Sequence, residues 1–133
     1  MQYLVIINAP AQSACFENAV RFCEAARNKN YTLKVFLLGP SVKVFASDDH
    51  NGHLEQTKPD LEKLLANDMV SIYACSNAVE DTANLDETLS TLNVIIAGLG
   101  TLAAESKLAD KVISFGNRTQ AEATKKHAEP TPC

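Results

Sequence analysis

Short apolar segments alternate with longer segments of helical periodicity, and this alternation limits the available folds more than any other feature. Five segments have the length and β-branched content of buried strands: Leu4–Asn8, Leu33–Leu38, Val70–Ala74, Asn93–Ala97 and Lys111–Phe115. Because they are apolar throughout and separated by helical segments, they predict a sheet covered on both faces. With right-handed crossovers, the expected fold is a three-layer α/β/α sandwich with a mostly parallel five-stranded sheet.

Helical spacing and turn residues predict what connects these strands. The expected helices are Ser13–Asn28 with Ser13 as N-cap, Ser41–Ala46, a short helix from the Thr57/Asp60 signal to Asn67, Asn77–Thr82, Asp86–Ser90 and Thr101–Ala109. The polar segment Ser47–Lys58 is interpreted as a surface loop. We expect one domain over residues 1–116, followed by a polar, flexible tail over residues 117–133 that contains Pro130 and Pro132.

Composition excludes several classes of function. Lysine and arginine number 12 against 16 aspartate and glutamate, without a basic stripe, which argues against nucleic-acid binding. No apolar run approaches the roughly 20 residues that span a bilayer. The first residues lack the basic region of a signal peptide, so we predict a cytoplasmic protein whose four cysteines are thiols.

The candidate site lies where parallel strands end, because ligands and reactive groups collect at that edge of such sheets. Three segments are expected there: Asn8–Ser13, Cys75–Asn77 and Gly98–Thr101. Cys75 closes a buried strand directly before a helix that Ser76 or Asn77 would cap. The amides of that first turn would stabilise a thiolate, which is a nucleophile and can carry sulfane sulfur. The alternative is a buried cysteine that acts as a small apolar side chain.

The other cysteines have weaker signals. Cys15 begins the first helix at the same edge as Cys75 and is a candidate resolving thiol, whereas Cys23 is expected in the core. Cys133 ends the tail and is interpreted as an exposed thiol. No cysteine spacing matches a zinc site, and the Asp48–His53 loop is interpreted as solvated, so no metal is predicted.

Gly98 and Gly100 belong to a segment, Gly98–Ala103, that matches the dinucleotide-binding pattern in form. The acidic residue expected about 20 positions later is missing, so the glycines are interpreted as a tight turn with close helix–sheet packing.

The segments Tyr3–Pro10, Leu33–Val42, Val70–Ala78 and Gly98–Glu105 together resemble the DsrE/TusD sulfur-relay family, and Ala109–Phe115 is similar to the end of its C-terminal signature. The resemblance covers about residues 2–116. It implies a DsrE-like fold and a small sulfur carrier or sulfurtransferase that accepts a persulfide on the cysteine aligned with Cys75 and passes it to a partner thiol. It also implies trimers or hexamers, sulfur donor and acceptor proteins, and no organic cofactor.

The chain departs from that pattern after the cysteine. Family members often have basic residues there, whereas this chain has Glu80 and Asp81, and Ala78 replaces the second cysteine of a Cys-x-x-Cys branch. Acidic groups disfavour a nearby persulfide anion unless they face solvent. The leading hypothesis is a carrier in which Asn8 or Asn77 hydrogen-bonds the outer sulfur. The alternative is a non-catalytic binding or assembly module with an unreactive Cys75.

Overall fold

The computed structural model describes residues 1–10, 13–45, 53–80, 85–116 and 128–130. The elements are β1 Gln2–Asn8, α1 Ala14–Asn28, β2 Thr32–Leu37, a 3₁₀ helix Gly39–Phe45, α2 His53–Leu65, β3 Val70–Cys75, α3 Ser76–Glu80, α4 Leu85–Thr91, β4 Ile95–Ala97, α5 Leu99–Leu108, β5 Lys111–Gly116 and β6 Ala128–Pro130. No helix among these residues is long and apolar enough to cross a bilayer.

The strands form one sheet in the order β4-β3-β2-β1-β5-β6, and every pairing in it is parallel. The predicted α/β/α fold and its five parallel strands are therefore confirmed. The sixth strand was not predicted, because Ala128–Pro130 is short and has no apolar run. It pairs with the outer edge of β5 and so places part of the predicted flexible tail on the sheet.

The connections settle which helices share a face. The chain moves in one direction from β1 to β4 and then returns past β1 to β5, so right-handed crossovers put α1–α4 on one face and α5 on the other. The first face buries the larger core, which includes Val5, Val35 and Ile72. The second face buries a smaller cluster, with Leu102 of α5 packed over Leu4 and the strands beside it.

A local signal explains the start of α1, whereas two other helices begin earlier than predicted. Ser13 caps α1 as predicted, because its Oγ accepts a hydrogen bond from the Phe16 amide at 3.2 Å. The helix expected from Ser41 is a 3₁₀ helix that begins at Gly39. Helix α2 begins at His53, inside the segment predicted as a loop, and continues through Pro59. The remaining residues of that loop, 47–52, lie outside the described part of the chain.

Candidate functional site

Cys75 lies where the sequence placed it, at the end of a central strand. It is the last residue of β3, and α3 begins at Ser76 with no residue between them. Its side chain is a free thiol that is 7% exposed. It belongs to the buried cluster beneath α5, which also includes Ile6, Phe36 and Leu38. Cys75 therefore combines a mostly packed side chain with a position at the open edge of the sheet.

The turn after β4 approaches the turn after β3. A Cβ placed on Gly98 would lie 3.8 Å from Ser76 Oγ, which is ordinary van der Waals contact. Gly98 also caps α5 in an extended conformation, without a side-chain hydrogen bond. Gly100 lies one residue into α5 with nothing within 4 Å of its Cβ position. Of the two predicted glycines, Gly98 adjoins the Cys75 turn, whereas Gly100 is open to solvent.

Asn8 lies at the same edge and on the same face of the sheet as Cys75. Ile7 pairs with Leu37 and Leu37 with Ala74, so Asn8 and Cys75 are the next residues on strands that lie two positions apart. The strand spacing puts their Cα atoms about 10 Å apart. Direct contact between the Asn8 amide and the Cys75 sulfur thus requires the amide to reach across β2.

Two glycines with positive φ angles hold Asn8 in place. Gly39 has φ +54°, and a Cβ there would lie 2.8 Å from Asn8 Oδ1. Gly116 has φ +98°, and a Cβ there would lie 2.1 Å from the Asn8 carbonyl oxygen. Both positions favour glycine because of the backbone conformation and because of the close approach. The Asn8 side chain is consequently directed toward the end of β2, the strand between it and Cys75.

Asn77 and Glu80 bracket the short helix after the cysteine. Both side chains are exposed, whereas Ser76 is half-buried. Asn77 can reach the outer sulfur of a persulfide only from the solvent side of the turn. Glu80 ends α3 and faces solvent, the arrangement in which its charge disfavours a persulfide least. Asp81 lies outside the described residues.

The structure separates the cysteines into different environments. Cys15 is disulfide-bonded, unlike the predicted thiol, while Cys23 and Cys75 are free, so Cys75 is not its partner. A role for Cys15 as a resolving thiol stays a prediction and requires reduction of that disulfide first. Cys23 lies in the larger core, as predicted. Burial, with a smaller contribution from the Glu24 charge, raises the pKa of Cys23 to about 12. Cys133 lies outside the described residues.

Polar groups extend from the cluster around Cys75 down the same face. Tyr73 stacks on Phe36 with ring centroids 5.5 Å apart and 3° between the ring planes. Further down, Lys34 Nζ lies 2.7 Å from Glu105 Oε2 of α5. That hydrogen bond is the main cause of a raised Lys34 pKa. This ion pair fixes α5 to the centre of the sheet and so supports the cover over Cys75.

A cavity opens between the end of β2 and α3. Its volume is about 290 Å³, and its lining residues are Gly39, Pro40, Lys43 and Ala78. Sequence reasoning missed it, because only the segments after β1, β3 and β4 were assigned to the site edge. The signal was present: β2 is parallel to the others, so Gly39 and the 3₁₀ helix after it must lie at that edge too. Among the described residues, no cluster of side chains could hold a metal ion.

The fold and the site define a class of protein: small three-layer α/β proteins with a parallel sheet and a free cysteine at the end of a central strand. Residues 1–115 match the DsrE/DsrF-like family, and the chain belongs to it. The crystal structure of the YchN protein from E. coli is similar, with a TM-score of 0.65 and 30% identity over 86% of this chain and 100% of that one. No curated protein sequence matches the chain.

Proposed function

We propose that the protein carries sulfane sulfur on Cys75 as a persulfide and passes it to the thiol of a partner protein. The single observation behind this is the free thiol at the junction of β3 and α3, in a family whose members generally act in sulfur relay. The proposal places the carrier in the cytoplasm, where the Cys75 thiol stays reduced and where the disulfide of Cys15 would be reduced as well.

The chemistry needs the side chain of Cys75 and two exchanging thiols. The Cys75 thiolate attacks the outer sulfur of a donor persulfide, the donor S–S bond breaks, and the donor leaves as a thiolate. An acceptor thiolate then attacks the outer sulfur on Cys75 and releases the Cys75 thiolate. Since Cys75 is only 7% exposed, both exchanges require a thin group, such as a small molecule or an extended protein segment.

The decisive experiment treats the reduced protein with a low-molecular-weight persulfide donor and measures the mass of each cysteine peptide. We expect the gain of one sulfur atom on Cys75 and none on the fully packed Cys23. Cys75→Ser abolishes loading, whereas the matched variant Cys23→Ala retains it. Loading that persists in Cys75→Ser, or a wild-type protein that never gains sulfur, contradicts the proposal.

The second candidate function is a non-catalytic assembly module, and the surface around β4 favours it. Ile95 is 46% exposed, Ile96 40% and Leu99 49%, so an edge strand and the start of α5 present apolar side chains to solvent. We propose that copies of this chain, or related subunits, pack there. Light scattering tests this: Ile95→Lys should reduce the mass of the assembly. If Ile95→Lys disrupts the assembly and the wild-type protein never gains sulfur, the protein acts as an assembly module and not as a sulfur carrier.

A further inference from the structure

The cavity between the 3₁₀ helix and α3 has one charged residue among the four that line it, Lys43. We propose that Lys43 selects small anionic persulfides as sulfur donors for Cys75. This proposal rests on the carrier function and names the class of donor and the residue that discriminates it. Lys43 thereby supplies, from the segment after β2, the positive charge that the residues after Cys75 lack.

The cavity and the thiol are neighbours in the structure. Ala78 lines the cavity and also packs against the cluster that contains Cys75. On the other side, Gly39 directly follows Leu38, which is a member of that same cluster. The cavity thus adjoins the side chains around the sulfur through two separate segments. Cys75 does not itself line the cavity, so the proposal requires the persulfide end of a bound donor to extend past Ala78 to the thiol.

The size of the cavity fits a small donor. Its volume of about 290 Å³ equals that of roughly ten water molecules at about 30 Å³ each. A low-molecular-weight persulfide with a carboxylate fits this volume, whereas a folded protein domain does not. Gly39 contributes to the space, because it has no side chain and its conformation, φ +54°, disfavours residues that have one.

The charge at the cavity favours an anion. Lys43 is exposed and forms no ion pair among the described residues. Glu80 is the opposing charge on the neighbouring helix, but it does not line the cavity. Two unit charges about 7 Å apart in water interact strongly enough to change binding about threefold, and a charge reversal changes it about sevenfold.

The reaction at this site is balanced without any further reagent. The donor is R–S–SH, in which R has a carboxylate. The Cys75 thiolate forms a bond to the outer sulfur, the S–S bond of the donor breaks, and R–S⁻ leaves with the electron pair. The outer sulfur keeps its proton, so the products are the Cys75 persulfide and one thiolate. Lys43 takes no part in bond making and acts as a specificity-determining residue.

The test compares two donors of similar size and opposite charge, the persulfides of mercaptoacetate and of cysteamine. Rates of sulfur gain on Cys75 are measured by mass spectrometry at low salt for the wild type, Lys43→Gln and Lys43→Glu. The control is Lys107→Glu, which makes the same charge change at the far end of α5. Circular dichroism confirms that each variant is folded.

We expect Lys43→Glu to slow loading by the anionic donor about sevenfold and to speed loading by the cationic donor by a similar factor, with Lys43→Gln between them. Added salt should reduce these differences. Equal loading by both donors in every variant, or the same change in Lys107→Glu, overturns the role of Lys43 and leaves the carrier intact. A wild-type protein that gains sulfur from neither donor instead refutes the carrier function itself.

Discussion

Cys23 and Cys75, the free cysteines within the described part of the chain, should differ in reactivity because Cys23 lies deep in the core. Cys23 is 1% exposed, and its pKa is raised from 9.0 to about 12. At pH 8 the thiolate is then about one part in ten thousand, compared with about one in ten for a thiol of ordinary pKa. The native protein should therefore alkylate at Cys23 roughly a thousandfold more slowly than the unfolded chain, before any steric protection is counted.

The assay follows iodoacetamide labelling of the Cys23 peptide by mass spectrometry, with and without urea. Addition of urea at the same pH should restore the rate of an ordinary thiol, which shows that burial causes the protection. Native labelling of Cys23 within a few-fold of the urea rate would refute the reasoning. The same measurement on Cys75 gives the rate for a cysteine at the edge of the sheet within the same molecule.

Three further predictions concern the scaffold that positions the site. Gly116→Ala places a Cβ 2.1 Å from the backbone oxygen of Asn8 at φ +98°, so thermal unfolding should show a loss of about 3 kcal/mol or more. Gly100→Ala, in a helix with open space around it, should instead stabilise by about 0.5–1 kcal/mol, and equal effects of the two substitutions would contradict this assignment. Lys34→Met should cost about 1 kcal/mol by urea titration at neutral pH. Since the pKa of Lys34 is raised in the folded state, this difference should be constant from neutral pH up to the ordinary lysine pKa of about 10.4 and shrink as the pH rises through the folded value; an unchanged difference there would exclude the ion pair as its cause.

The strands could be predicted from sequence because buried parallel strands are apolar throughout. β1 and β2 show this pattern plainly, and so the order of elements and the edge that holds Cys75 followed from it. The strand β6 could not be predicted, since its pairing with β5 leaves no pattern in the sequence. Its residues are too polar and too few to give a pattern.

The close approaches within the site also could not be predicted from the sequence. The close approach of Gly39 to the Asn8 side chain depends on a left-handed backbone conformation at Gly39. Glycine permits that conformation, but its presence in a sequence does not show that the conformation is adopted. Lys43 was overlooked for a different reason. It precedes the cysteine by more than thirty residues, and only the order of the strands brings the two segments together.

The position of β1 in the sheet has a consequence for how the protein is made. β1 pairs with β2 on one side and with β5 on the other, and the first residues bond Asp110 directly, as in the 2.7 Å contact from the Gln2 amide. β1 is synthesised first, but it cannot form its hydrogen bonds with β5 until the last third of the chain has been made. At ribosomal rates of about 5–20 residues per second, that delay lasts about 5–20 seconds. For the part of that delay between the synthesis of Cys75 and that of α5, the thiol lacks the cover that this helix provides.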